Sequence, residues 1–376
     1  MDKEKEIINL MALTRVSNYG LTDASELYRC AGSATVVADN CRDIRAVMPT
    51  ASDRLVRAVA AMDDARALAE ADYAHAVAHN IRPVAISDSR YPSRLRECDG
   101  APLLLYTCGT ADLNARRVVS VVGTRHATAY GHDLTRRFVS DLARLCPGTL
   151  VVSGLAYGID ICAHTAALDA ALPTLAVLAH GLDTIYPSRH TDTARRMARQ
   201  GGLLTEYPRG TRPERLNFLR RNRIVAGMAD AVVLVESAAH GGGLVTTRIA
   251  GEYGRPVFAF PGAVGAVYSE GCNALIRSGG ARLITSAADM VEALGWQTDR
   301  QLVQARQQGI ERTLFPDLSP DEQRVADALS AHGDMQADAL SVLLSLPIAR
   351  LTPLLFALEM KGVVRLYAGG VYHLVK

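Results

Sequence analysis

In the stretch VVSVVGTR, residues 118–125, a run of four valines and one serine ends in a glycine turn. The stretch LVVSGLAYGID, residues 150–160, repeats the same order of apolar run and glycine turn. Continuous apolar runs, in place of alternating ones, are typical of strands that are covered on both faces, as in a parallel sheet. These two stretches therefore predict buried parallel strands whose turns carry glycine.

Similar apolar runs recur between residues 83 and 294 of the 376-residue chain and alternate with helix-like stretches. Strands that alternate with helices imply βαβ units. We therefore predict an α/β fold with a doubly wound, mostly parallel sheet. The predicted strands are Pro83–Ile86, Leu103–Tyr106, Val118–Val122, Leu150–Val152, Thr174–Leu178, Gly202–Thr205, Ala231–Val235, Val257–Ala259 and Leu283–Ile284.

Outside this region the pattern is helical. Residues 1–80 read as a small module with helices near 6–13, 22–28, from 32 and at 53–79. Its helix, glycine turn, helix order is similar to a degenerate helix-hairpin-helix or sterile-alpha-motif module, and it equally fits a packing module without a ligand. The domain boundaries that we predict are 1–80 for this module, 81–297 for the sheet domain, 298–315 for a polar linker and 316–376 for a C-terminal domain.

The C-terminal domain is predicted to be a winged helix. Ser319 with Glu322 has the spacing of a capping box, and helices fit residues 320–331, 335–345 and 348–360 before a β-hairpin. From Glu311 onward the chain has eight acidic and six basic residues. Because a winged helix that reads duplex DNA is normally basic, we predict a protein-interaction module or a weak accessory site.

Several classes of protein are excluded by what the sequence lacks. No run of about 18 apolar residues predicts a membrane span, and the N-terminus lacks the features of a secretory signal, so we expect a cytoplasmic protein with no membrane partner. The seven cysteines include no CxxC pair, which argues against a disulfide framework or a zinc ribbon. GxGxxG after a strand, GxxxxGK[ST], GxSxG and HExxH are all missing, so we expect no cofactor and no metal.

Glycine turns follow five of the predicted strands, at Gly123, Gly154, Gly181, 241–243 and Gly262. In a parallel sheet these turns converge on one edge, where glycine lets backbone N–H groups approach a ligand and helix N-termini favour anions. The sequence therefore predicts a phosphate-binding crevice. Asp160 and Asp183 follow two of the turns, either as catalytic carboxylates or as caps that tie loops together.

A basic segment lies beside this predicted crevice. Residues 189–223 contain ten arginines and three acidic residues. Arginine makes bidentate contacts with phosphate, and Phe218 among the arginines either stacks on an unpaired base or belongs to the core. The segment predicts a site for a polyanion.

Long motifs in a fixed order resemble the DNA-processing protein A (DprA/Smf) family. They are VVGTR (121–125), SGLAYGID (153–160), GLDTIYP (181–187), TEYPRGTRPERLNFLRRNRIVAG (205–227), VESAAHGGGLVTTRIAGEYGRPVFAFPG (235–262) and EGCNALIRSGGA (270–281). The resemblance implies an extended Rossmann-like domain that dimerises and binds single-stranded DNA without catalysis. It also implies that the protein protects incoming strands during natural transformation and loads RecA, displacing or working alongside single-strand-binding protein.

The DNA-binding residues that follow from the motifs and the turns are Gly123, Thr124, Arg125, Gly154, Arg212, Arg215, Phe218, Arg220, Arg221, Asn222, Arg223, Gly241, Gly242, Gly243, Thr246 and Thr247. Two departures from the family pattern stand out. Leu219 replaces a proline, and many members have a serine at the position of Gly241 or Gly242.

Two alternatives compete with DNA binding. A nucleotide-cleaving enzyme related to the lysine-decarboxylase-like group would use the AHGGGLVTT loop with Glu236 or Glu252 as the nearest acid. A structural scaffold would hold its arginines in ion pairs and would show no salt-sensitive affinity for DNA.

Overall fold

A computed structural model describes residues 3–16, 21–296 and 318–374, apart from residues 362, 368 and 369. The chain divides into two compact units, residues 1–299 and 300–376. The predicted linker, 298–315, lies outside the described residues. The predicted boundary at residue 80 falls inside the first unit and stays a prediction.

Nine strands in the described part of the first unit form one sheet. Along the sheet they follow the order β1-β2-β6-β5-β4-β3-β7-β8-β9. From β6 to β9 all neighbours are parallel, while β2 is antiparallel to β6 and to β1. The strands are β1 (Arg82–Ala85), β2 (Leu104–Gly109), β3 (Val118–Val122), β4 (Leu150–Ser153), β5 (Thr174–Val177), β6 (Gly202–Thr205), β7 (Ala231–Leu234), β8 (Val257–Ala259) and β9 (Arg282–Leu283).

The mostly parallel, doubly wound α/β sheet is confirmed, with several strand ends moved by one to three residues. All residues of β3 to β7 are buried. In β5, Leu175 and Val177 belong to one apolar cluster and Ala176 to another, so the strand packs on both faces. This two-sided burial is the physical cause of the continuous apolar runs.

Helices connect the strands and cover the sheet. They are α6 (Ser93–Arg96), α7 (Ala129–Leu145), α8 (Ile159–Asp169), α9 (Thr191–Gln200), α10 (Arg215–Gly227), α11 (Gly242–Glu252), α12 (Glu270–Arg277) and α13 (Ala287–Ala293). The chain winds from β3 through β4 and β5 to β6, then returns across β3 to β7. The topological switch point therefore lies between β3 and β7, where open α/β sheets bind ligands.

The N-terminal helices pack on the antiparallel edge of the sheet. They are α1 (Lys3–Val16), α2 (Leu21–Ala31), α3 (Ala34–Asp39), α4 (Asp53–Ala60) and α5 (Met62–Ala78). Their core includes Ala85 of β1 and Leu104 of β2. The single helix predicted over 53–79 is wrong, because the helix breaks at Ala61. Packing sets this break, since α5 runs along α1 while α4 lies near the turn at Ile44–Ala46.

The second unit is a winged helix, as predicted. Its helices are α14 (Pro320–His332), α15 (Ala337–Leu344) and α16 (Ile348–Met360), and its strands are β10 (Met335–Gln336), β11 (Val364–Tyr367) and β12 (Val371–Leu374). Ser319 and Glu322 form the predicted capping box. The helix predicted from 335 begins at Ala337, because residues 335 and 336 pair with β12.

Candidate functional site

A cleft of about 380 Å³ lies at the carboxyl edge of the sheet, at the switch point between β3 and β7. The turns after β3, β4 and β7 form one side, and α10 forms the other. Of the sixteen residues predicted as a site, eleven line this cleft. They are Gly123, Thr124, Arg125, Gly154, Phe218, Arg221, Asn222, Gly241, Gly242, Gly243 and Thr246.

The remaining five predicted residues do not line the cleft. Of the predicted residues on α10, Phe218, Arg221 and Asn222 line the cleft, at the i, i+3 and i+4 spacing of one helix face. Leu219 and Val225 of the same helix line it as well. Arg220 and Arg223 point elsewhere, and Arg223 forms an ion pair with Glu206 at 2.5 Å. The other residues outside the lining are Arg212 and Arg215, which are exposed, and Thr247, which donates to the carbonyl of Leu244 at 3.0 Å.

Arg221 is the buried cation of the cleft. Only 4% of Arg221 is exposed, and its Nη1 donates to the carbonyl of Val177 at 2.5 Å. Its Nε has no hydrogen-bond partner within the described residues. Burial lowers the pKa of Arg221 and the charge of nearby Asp160 opposes that shift. An arginine stays protonated in either case, so the cleft holds a fixed positive charge with unused donor capacity.

Two glycines make this arrangement sterically possible. A Cβ at Gly154 would lie 1.9 Å from Nη1 of Arg221, so only a glycine leaves room for the guanidinium. A Cβ at Gly123 would lie 2.6 Å from Cγ1 of Ile159 and 2.9 Å from the carbonyl oxygen of Glu236. The glycines that follow β3 and β4 are thus needed for close approach.

Asp160 holds the turn after β4. Its Oδ2 accepts from the backbone N–H of Gly154 at 3.2 Å and of Ala156 at 3.4 Å. Burial raises the pKa of Asp160, while Arg221 and these hydrogen bonds act in the opposite direction. Asp183 similarly accepts from the backbone N–H of Gly210 at 3.0 Å. Both contacts match the loop-tying alternative for these carboxylates.

Aromatic side chains lie at the rim of the cleft. The guanidinium of Arg125 lies 5.2 Å from the ring centroid of Phe218, a cation–π geometry. Phe218 is half-buried and lies 5.9 Å from the ring of Tyr186, so it is a wall of the cleft and not core. His126 and Tyr268 also line the cleft, with their ring centroids 6.4 Å apart and the rings stacked. Sequence reasoning missed these last two, because no motif marks them.

The cleft has few groups suited to acid–base chemistry. Glu236 is buried and accepts from the backbone N–H of Thr128 at 2.9 Å and from its Oγ1 at 2.6 Å, which ties the start of α7 to the end of β7. Glu252 is exposed and lies 3.9 Å from Arg248. Asp160 is the one carboxylate among the described residues that line the cleft. Those residues contain no cluster of His, Cys, Asp or Glu suited to a metal.

The arginines of residues 189–223 divide into paired and unpaired groups. Arg195, Arg196 and Arg223 pair with Asp192, Asp169 and Glu206. Others form no ion pair within the part of the chain that the structure describes, among them Arg209, Arg212, Arg215 and Arg220. A structural scaffold would hold these arginines in ion pairs, so the unpaired arginines argue against that alternative.

No single helix among the described residues is both long and apolar enough to cross a membrane. One bent pair, Ala337–Leu344 with Ile348–Met360, meets the length and composition test together. All seven cysteines are free.

Two family models match the chain. The model described as DNA recombination-mediator protein A matches residues 82–295, and the DprA winged helix domain matches residues 312–370. A protein named as a DNA processing protein DprA in Mycobacterium tuberculosis is 41% identical over 272 residues, which are 72% of this chain and 68% of that protein. Protein Smf of Escherichia coli is 36% identical over 76% of this chain and 75% of its own length.

Two solved structures share the fold. DNA processing protein A from Streptococcus pneumoniae superposes with a TM-score of 0.63 at 30% identity, over 77% of this chain and 97% of that one. DNA processing protein A from Helicobacter pylori, a protein described as having a unique single-stranded DNA binding mode, gives a TM-score of 0.52 at 28% identity, over 58% of this chain and 96% of its own. These matches, together with the glycine turns and the winged helix, show that the chain belongs to the DNA-processing protein A (DprA/Smf) family.

Proposed function

We propose that the chain is a single-stranded DNA-binding recombination mediator whose DNA site is the cleft between β3, β7 and α10. The observation that carries this proposal is the buried guanidinium of Arg221 beside the exposed Arg125 and the uncapped start of α11. The matched family description and the single-stranded DNA binding described for the Helicobacter pylori protein support the same assignment.

The groups that line the cleft suit contacts with a phosphate backbone more than recognition of particular bases. Arg125 and Arg221 supply donors for phosphate oxygens, and the first N–H groups of α11 favour an anion. Phe218 and Tyr268 offer aromatic surface to unpaired bases, which is tolerant of sequence. We therefore expect binding of single strands with little sequence preference.

The first test compares a fluorescent oligo-dT with a matched duplex at about 50 and 200 mM salt. A salt-sensitive preference for the single strand supports the proposal, because phosphate neutralisation releases counterions. Arg125→Ala with Arg221→Ala weakens binding to all sequences alike. Equal affinity for strand and duplex, or full affinity in this double variant, contradicts the proposed site.

Loading of RecA and protection of incoming strands during natural transformation are the finer parts of the proposal. We expect the full chain to speed RecA assembly on a strand that is already coated with single-strand-binding protein, measured as DNA-dependent ATP hydrolysis. We expect it also to slow digestion of the strand by a nuclease. Light scattering tests the predicted homodimer.

We expect no turnover from this cleft. Glu236 and Glu252, the acids nearest to the AHGGGLVTT loop, do not line the cleft: Glu236 accepts a hydrogen bond from Thr128, and Glu252 is exposed. Release of free base from nucleoside monophosphates by the purified chain would favour the nucleotide-cleaving alternative.

A further inference from the structure

We propose that the cleft receives a phosphate monoester at the end of a single strand, in preference to the phosphodiesters within it. This inference rests on the proposed function, since it names the part of the DNA that the cleft binds. Three observations carry it: the size of the cleft, its charge, and the burial of Arg221 beside the uncapped start of α11.

The size of the cleft suits one nucleotide. Its volume of about 380 Å³ is near the lower end of the range, roughly 300–1,000 Å³, that is usual for sites of single small molecules. The turns after β3, β4 and β7 face α10 across this space, with Gly154 and Arg221 among the lining residues. A cleft of these dimensions has room for one nucleotide residue of a strand.

The positive charge of the cleft is larger in magnitude than the single negative charge of a phosphodiester. Arg125 and Arg221 contribute two positive charges, and the N-terminus of α11 adds about half a charge. Asp160, the carboxylate among the described lining residues, subtracts at most one. The balance is roughly +1.5 or more, while a diester carries one negative charge and a monoester carries about −1.5 to −2 at pH 7. His126 also lines the cleft.

The guanidinium of Arg221 and the N-terminus of α11 both border the cleft. Arg221 is almost fully buried, and its Nε has no partner within the described residues. No side chain in the described part of the chain caps α11, whose first N–H groups belong to Gly242 and Gly243. A charge that is buried this deeply is weakly screened by salt, so it attracts an anion in the cleft more strongly than an exposed arginine does.

The arginines outside the cleft differ in setting. Arg209, Arg212 and Arg215 are exposed and lie before or at the start of α10. Exposed cations of this kind attract a diester backbone through weaker, screened contacts. We therefore expect the interior of a strand to contact this outer arginine surface as well, while the terminal phosphate is the preferred ligand of the cleft.

The experiment uses the full chain and one oligo-dT with an internal fluorophore, prepared with different ends. The forms are 5′-hydroxyl, 5′-phosphate, 5′-methylphosphate and 3′-phosphate. The methylphosphate has nearly the size of the phosphate but the single charge of a diester. We expect about tenfold tighter binding of a phosphate form than of the hydroxyl form, with the methylphosphate close to the hydroxyl.

Variants then locate the preference. Arg221→Gln and the exposed Arg125→Gln should each reduce the ratio between the phosphate and hydroxyl forms. Arg220→Gln, next to Arg221 but outside the cleft, should keep that ratio even if overall affinity falls. Arg125→Gln keeps the test informative if Arg221→Gln does not fold.

The outcomes separate this inference from the proposed function. Equal affinity for all four ends, with salt-sensitive strand binding retained, overturns the terminal-phosphate inference alone. No strand binding at all overturns the proposed function. Free dTMP is then added as a competitor of the labelled oligonucleotide. If it competes at concentrations as low as those of the phosphorylated oligonucleotide, the cleft is a site for free nucleotides and the strand-end proposal is overturned.

Discussion

Gly154→Ala tests the cleft without changing any charge. The new Cβ would lie 1.9 Å from Nη1 of Arg221, and ordinary contacts begin at 3.4 Å. The guanidinium must therefore move by about 1.5 Å, and its hydrogen bond to the carbonyl of Val177 at 2.5 Å is lost. The backbone itself tolerates alanine, because the φ angle of Gly154 is not in the left-handed region.

The expected magnitudes follow from that displacement. Loss of a hydrogen bond to a charged group costs about 1.5–3 kcal/mol of the free energy of unfolding. In a unit of this size that lowers Tm by roughly 2–4 °C per kcal/mol. A displaced guanidinium is also no longer positioned to contact a phosphate. The affinity for oligo-dT should therefore fall by about tenfold, or ~1.4 kcal/mol.

The assay is thermal unfolding together with fluorescence anisotropy, and Gly251→Ala is the matched control. Gly251 lies within α11, and a Cβ there meets nothing within 4 Å. That control should raise the free energy of unfolding by about 0.5–1 kcal/mol and leave DNA affinity unchanged. Unchanged affinity and unchanged Tm in Gly154→Ala would refute the packing of Arg221 against the glycine turn.

Three further predictions concern other parts of the chain. Glu6 is buried and accepts hydrogen bonds at the start of α3, so Glu6→Ala should lower Tm clearly more than Glu6→Gln in thermal unfolding. Burial lowers the pKa of His164 to about 3 from 6.5, so the unfolded state binds the extra proton and stability falls as pH drops from about 6.5 towards 3. His164→Asn should flatten this acid loss between pH 5 and pH 7 by about 2 kcal/mol, and an unchanged pH profile of Tm would contradict it. Phe356 of α16 is 65% exposed, so Phe356→Glu should change the duplex affinity of the full chain less than twofold, whereas a large drop would mark the winged helix as a duplex reader.

Much of the fold followed from the sequence because its patterns are local. Burial on both faces requires continuous apolar runs, and such runs placed β3 to β7 correctly. The capping box at Ser319 and Glu322 located α14. The break at Ala61 could not be predicted, since nothing in an alanine-rich stretch opposes a continuous helix. The two helices differ in their tertiary contacts, because α5 runs along α1 while α4 also contacts the turn at Ile44–Ala46.

Local sequence patterns are enough to predict that glycine turns and arginines gather at one edge of a parallel sheet. Which arginines serve the cleft depends on tertiary packing. Arg221 and Arg223 are two residues apart, a separation that places them on different faces of a helix. Because of the orientation in which α10 packs on the sheet, Arg221 lines the cleft and Arg223 forms an ion pair with Glu206. The docking of α10 depends on residues distant in sequence, so no local pattern encodes that choice.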